Sequence, residues 1–164
     1  MKEFKTKRLF LRQWKKEDIA AYARYFEDQG RAKYFGGKRN ADDAWRHMAM
    51  MIGHWQLNGF GYWAVEELGS KEFVGCVGLW KSLNWPELEL GYWIDDRQLR
   101  KGFAEEAAMA CICYARDALK APSLVSYIAS ENIASQKLAT KLGANYEQTI
   151  ELLEQGPHQV YRHF

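Results

Sequence analysis

Two hydrophobic rhythms alternate along the chain, one with a period of two and one with a period near 3.6. Residues 8–14 alternate as a strand, with Leu9 and Leu11 on one face and Phe10, Arg12 and Trp14 on the other. Helical spacing follows at Ile19, Tyr22, Ala23 and Phe26, with Gly30 as the expected stop. A second helix is expected after Asn40, which can cap the first turn, with Asp42 and Asp43 near the positive dipole end and a stripe of Ala41, Trp45, Met48, Ile52 and Trp55. Between them, residues 30–39 follow neither period and carry Tyr34, Phe35, Gly36 and Gly37, suiting the wall of a substrate pocket. Gly59 and Gly61 break the helix, and residues 62–67 and 73–80 are short, aromatic and β-branched runs joined by a hairpin-like connector.

Residues 87–94 continue this meander and place Glu87, Glu89, Gly91 and Trp93 on one face and Leu88, Leu90, Tyr92 and Ile94 on the other. Residues 103–119 return to helical spacing through Phe103, Ala107, Ala110, Cys111, Tyr114 and Ala118. A buried strand over 124–129 precedes a short helix that Asn132 caps and Gly143 ends, with Leu138 and Leu142 facing inward. Residues 146–153 and 158–163 read as two strands around Gln155, Gly156 and Pro157. The order β-α-α-β-β-β-α-β-α-β-β predicts an α/β (α+β) domain with a mixed sheet, residues 1–164 forming one domain.

Composition narrows the function. An apolar fraction of 48% with 15% aromatic residues predicts a packed globule. The 23 basic and 21 acidic residues nearly cancel, so no general electrostatic case exists for nucleic acid or an anionic membrane. Cys76, Cys111 and Cys113 cannot all pair, and the last two point to different sides of a helix. No apolar run approaches the ~20 residues of a membrane-spanning helix, and the charged first residues carry no leader-like pattern, so the expected location is cytoplasmic. His47, His54, His158 and His163 have no ligand spacing, and no metal is expected. No Ser/His/Asp order or Cys/His pairing stands out, which argues against a covalent acyl-enzyme.

The chemistry gathers after the strand at 87–94. Arg97, Arg100 and Lys101 surround a turn containing Gly102, and a helix begins there. Backbone N–H groups at a helix start, the positive dipole end and three nearby cations favour an anion such as pyrophosphate. A Walker Lys-Ser pair and the three Rossmann glycines are both missing, which weighs against a nucleotide-binding loop.

The strand Glu89-Leu-Gly-Tyr92, the turn Arg100-Lys-Gly-Phe-Ala104 with Glu105, Glu106 and Ala107, then Asn132-Ile-Ala-Ser135 and Lys141-Leu-Gly-Ala144 together resemble the GNAT N-acetyltransferases, particularly the ribosomal-protein N-terminal (serine/alanine) acetyltransferase branch. Leu99 stands where that family has Gln, Arg or Trp. The resemblance implies a mostly antiparallel GNAT-like sheet of six to seven strands with about four helices, splayed between the fourth and fifth strands. It also implies acetyl-CoA as co-substrate, held by Tyr92, Trp93, Ile94, Arg97, Arg100, Lys101, Gly102, Phe103, Ala104, Asn132 and Ser135, with an oxyanion donor from the backbone near Trp93 or Ile94.

Further implications concern the reaction. Ser135 would donate to the departing thiolate, since Ala139 occupies the position of the tyrosine many relatives use. A carboxylate would deprotonate the acceptor, and Glu89, Glu151 or neither remain open for this role. The expected activity is direct acetyl transfer to a primary amine, a protein N-terminal α-amine first. Small-molecule acetylation and a non-catalytic acyl-CoA-binding module are the alternatives, and the expected assembly is a monomer or homodimer.

Overall fold

The computed structural model describes residues 2–164. Strands β1 (Phe4–Lys5) and β2 (Leu9–Arg12) precede helices α1 (Asp18–Glu27), α2 (Gln29–Ala32) and α3 (Ala41–Asn58), followed by the meander β3 (Tyr62–Glu67), β4 (Phe73–Trp80) and β5 (Glu89–Ile94). Helix α4 (Phe103–Cys113), β6 (Val125–Ala129), α5 (Ile133–Lys141), β7 (Asn145–Glu151) and β8 (Pro157–Arg162) complete the order. One sheet holds all eight strands in the order β1-β2-β3-β4-β5-β6-β8-β7. Neighbours are antiparallel except β5 and β6.

The expected mixed, mostly antiparallel sheet is present, with one strand and one helix more than expected. Two-residue β1 is too short to show an alternation of its own, and it forms by pairing Phe4 with Leu11. Helix α1 ends at Glu27 rather than at Gly30, because the Asp28 side chain accepts from Arg31 N and starts the separate turn α2. The buried face of α3 is Ala44, Met48, Met51, His54 and Trp55, whereas Trp45 and Ile52 are exposed. Apolar residues surround this helix, so periodicity alone selected the wrong stripe. His54 turns inward because Nδ1–H donates to Phe60 O, Nε2 accepts from Lys81 N, and the ring stacks on Trp80. Helix α4 widens into a π turn at Tyr114–Ala118 instead of remaining α-helical to 119.

Alternation along the strands sorts two cores. Trp63, Val65, Val74, Val77, Leu90 and Ile94 pack toward Phe103, Ala107, Cys111 and Ala115 around α4. On the other face Tyr62, Ala64, Cys76 and Trp93 pack under Tyr22, Phe26 and Met48 from α1 and α3. Buried Arg12 ties the two sheet strands to α1, bonding Asp18 at 2.8 Å and Glu66 at 2.7 Å. Because one guanidinium serves two carboxylates, replacing Arg12 would leave both Asp18 and Glu66 without their shared countercharge.

The sheet opens between β5 and β6. Their parallel register holds at Glu89 with Val125 alone, supported by Val125 N donating to Leu88 O and Ser126 Oγ donating to Leu90 O at 2.8 Å. Past Leu90 the strands diverge, and the carbonyl alternation at Leu88 and Leu90 turns the backbone of Tyr92 and Ile94 toward the gap. The splay therefore falls where the resemblance expects it.

Candidate active site

The gap widens into a cavity of about 500 Å³ bounded by Glu89, Tyr92 and Ile94 on one strand and Tyr127 and Ala129 on the other. A basin of about 340 Å³ adjoins it at the α4 N-terminus and shares Ile94, Leu99, Ala104 and Leu138 with it. The compartment therefore runs from a helix terminus, along an unpaired strand, to a wall of aromatic side chains.

At the helix end, Gly102 has φ +80° and no side chain caps α4. Arg100 also lies in the left-handed region, at φ +62°, leading the chain into the first turn. The helix-start N–H groups thus remain available to an anion. The two first-turn carboxylates are occupied elsewhere: Glu105 binds Lys141, and Glu106 accepts from Thr6 Oγ1, Arg8 N and Arg8 Nε. Arg8 Nη1 also donates to Lys101 O at 2.8 Å, so the loop is braced from β2.

Of the three cations around the turn, Arg100 lines the basin. Arg97 forms a two-point pair with Asp95 at 2.9 Å, and Lys101 lies at Gln98 and over the Phe103 ring. The remaining basin cations are Lys137 and Lys141, one turn apart on α5. The sequence alone singles out neither, although their i,i+4 spacing on a helix beside the glycine turn puts both on one face, where Lys141 pairs with Glu105 at 2.6 Å.

At the centre, Asn132 Oδ1 accepts from Ser135 N at 3.2 Å, so Asn132 is the helix cap expected from the sequence. Tyr92 O–H crosses the gap to Ser135 O at 3.2 Å. These bonds fix the Ser135 main chain, and its side chain lines the cavity beside the Tyr92 phenol. Trp93 also lines the cavity, stacked on Tyr25 at 3.9 Å.

Glu87 and Glu89 lie two residues apart but have different surroundings. Arg162 grips Glu87 through two 2.9 Å bonds and Ser123 adds a third, holding its carboxyl below the usual range. Glu89 is half-buried and lines the cavity, and burial pushes its carboxyl up to about 8; the Trp85 indole and the Tyr127 backbone N–H offset part of that effect. Trp85 Nε1 makes no hydrogen bond of ordinary geometry, so its influence is that of a nearby dipole. Desolvation dominates at Glu89. Glu151 is exposed on edge strand β7 opposite Pro157 and does not line the cavity.

A Ser–His contact does exist, which the sequence did not reveal. Ser126 Oγ gives its proton to Leu90 O, so at 3.0 Å it accepts from His163 Nε2–H, leaving His163 Nδ1 buried without a partner. Burial lowers the imidazole to about 4. A hydroxyl whose proton is committed to a main-chain carbonyl is a strand clamp, not an activated nucleophile.

A family described as acetyltransferase (GNAT) domain matches residues 8–145. The uncharacterized protein YkkB of Bacillus subtilis (strain 168) is 29% identical over 152 residues, covering 88% of this chain and 86% of its own length. The crystal structure of an acetyltransferase from Agrobacterium tumefaciens str. C58 superposes with a TM-score of 0.91 at 26% identity, covering 100% of this chain and 95% of that one. A ribosomal-protein-S5-alanine acetyltransferase from Vibrio fischeri shares the fold, with a TM-score of 0.75 at 18% identity over 99% of this chain and 96% of that one. With the family match spanning most of the sequence and the splayed sheet and helix-terminal basin in place, the chain belongs to the GNAT acetyltransferase family and is an acyltransferase.

Proposed function

We propose that this chain acts as a single cytoplasmic domain that transfers acetyl from acetyl-CoA to a primary amine, preferentially a peptide N-terminal α-amine, by direct attack in a ternary complex. The observation that carries this reading is the Glu89 carboxyl, raised to about 8 and opening onto the same cavity as Ser135 and the unpaired backbone of β5. Acetyl-CoA supplies the activated thioester. The α4 N–H groups, Arg100 and Lys137 hold the pyrophosphate. The backbone of Tyr92 and Ile94 aligns the acyl arm, and Ile94 N–H faces the acyl oxygen. Glu89 takes the amine proton, while Ser135 Oγ–H donates to the leaving sulfur.

The raised carboxyl favours α-amines. A terminal ammonium ionises near ~8, matching Glu89, whereas a lysine ionises near ~10.4, about 3.3 kcal/mol further uphill. The fold shared with a ribosomal-protein acetyltransferase points to the same acceptor class. The test is thiol release from acetyl-CoA across N-terminal peptides, polyamines, amino acids and aminoglycosides, followed by pH–rate profiles on the best acceptor. Because the base must be ionised, the rate should rise with pH through about 8 and level off. Glu89→Gln should lower turnover roughly 10²–10⁴-fold, most at low pH where the amine stays protonated, with the rate partly restored as pH rises, whereas Glu151→Gln should keep the wild-type profile. Wild-type pH profiles in both variants would make bulk water the proton acceptor.

A further inference from the structure

Tyr62 is delivered to the reaction cavity by a construction that packing alone does not require. It opens β3 opposite Gly78, and Gly78 lies opposite Gly91 on β5. A Cβ on Gly78 would fall 2.2 Å from Tyr62 Cα, and one on Gly91 would fall 1.7 Å from Tyr62 Oη and 2.9 Å from Cζ. Gly78 thus lets the β3 backbone approach β4 closely, and Gly91 leaves the room that the phenol fills on the strand bearing Glu89, a trough with the Tyr62 oxygen above Gly91. The residue's carbonyl accepts from both Trp14 Nε1 and Trp55 Nε1, each at 2.8 Å. Phe35, from the segment between α2 and α3, meets the ring edge-on at 5.5 Å.

The backbone and ring are therefore fixed, yet the hydroxyl makes no hydrogen bond to protein among the described residues and lines the cavity with Glu89 and Gly91. The phenol oxygen is not sealed in the core but opens to the cavity, so packing asks only for the ring. The oxygen therefore fits a role toward a bound molecule. Its location opposite the basic basin, against Phe35 and beside Glu89, identifies the amine side of the compartment.

Building on the transfer reaction proposed above, we infer that Tyr62 is a catalytic residue whose hydroxyl oxygen accepts an N–H bond from the acceptor amine and aims its lone pair at the acyl carbon beside Glu89. As a neutral phenol it has lone pairs for this contact, and burial raises its ionisation well above the ordinary value, so it remains protonated throughout the working range. The N–C bond forms as the C–S bond breaks, the amine proton passes to Glu89, and the electron pair leaves on sulfur. Tyr62 orients without changing its own charge.

The test is Tyr62→Phe, which retains the ring, assayed on the best acceptor beside CoA-induced thermal shift. We expect acceptor kcat/KM to fall roughly 10- to 100-fold, about 1.4–2.8 kcal/mol, with the CoA shift unchanged. Gly91→Ala should displace the oxygen and cause a similar loss, but add little in the Tyr62→Phe background. Wild-type kcat/KM in Tyr62→Phe overturns the assignment while leaving the transfer reaction standing. Loss of the CoA shift in that variant makes Tyr62 structural, and fully additive losses refute its placement over Gly91. A wild-type protein inactive on every amine overturns the transfer reaction itself and this assignment with it.

Discussion

The two ends of the cavity use opposite physics. At the α4 end, an uncapped helix start and the cations Arg100 and Lys137 form an open basin that attracts negative charge. At the other end, Glu89 and Tyr62 lie among aromatic rings where burial suppresses charge, raising both groups' ionisation. One end gains affinity from fixed positive potential, which salt screens; the other gains reactivity from desolvation, which salt hardly touches. A ligand spanning both is anchored where electrostatics are inexpensive and reacts where a proton is easily exchanged. The wedge between β5 and β6 joins them, because a strand without its neighbour offers backbone donors along the route.

The largest effect should come from breaking the basic end. Gly102→Asp places a carboxylate where phosphate must approach, and juxtaposing like charges costs several kcal/mol. CoA affinity should fall about 1,000-fold, or ~4 kcal/mol, and the CoA-induced rise in melting temperature should disappear. The variant should still fold, since aspartate tolerates the left-handed region and a Cβ there would lie 3.4 Å from Arg8 Nη2, a ready partner. An intact thermal shift in the folded variant would put the anion site elsewhere.

An intermediate effect is expected at the desolvated end, in stability rather than binding. Burial raises the Glu89 carboxyl from 4.5 to about 8, so the folded state holds a proton that the unfolded state releases. The associated stability is fully present below about 4.5 and lost as pH rises through about 8. Glu89→Gln removes this loss. The variant should exceed wild type by about 2 kcal/mol in chemical denaturation at pH 6, and the difference should widen toward pH 8 and close toward pH 4.5. A gap independent of pH would mean that the carboxyl is not desolvated.

This contrast was only half legible in the sequence. Strand alternation placed Glu87 and Glu89 on one face, and Gly102 marked the helix start, because each is a local pattern. The fates of the two carboxylates depend on Arg162, Ser123 and Tyr127, which reach β5 only when β6 and β8 join the sheet. Charges near the glycine turn looked equivalent, yet Arg97 binds Asp95 while Lys137 and Lys141 arrive from α5. The Tyr62 trough depends on the cross-strand register of Gly78 and Gly91, which no single run of sequence records. The wrong stripe on α3 has the same origin: only the sheet beneath it selects Met51 and His54 over Trp45 and Ile52.

The smallest expected effect probes the point where the two ends meet. The Ser135 main chain is fixed by Asn132 through its N–H and by Tyr92 through its carbonyl, so Ser135→Ala deletes the hydroxyl and leaves both bonds in place. Alanine is also the better helix former, by a few tenths of a kcal/mol, so lost activity cannot be attributed to lost stability. A hydrogen bond that strengthens only as thiolate charge develops should lower turnover without changing ground-state binding. We expect about a 10-fold drop in kcat, equivalent to ~1.4 kcal/mol, with CoA affinity unchanged. The effect should remain small because a CoA thiolate is already a competent leaving group, unlike the amine, which cannot attack until it is deprotonated. If affinity falls and turnover holds, Ser135 belongs to the binding end of the cavity, and the departing sulfur leaves without an acid.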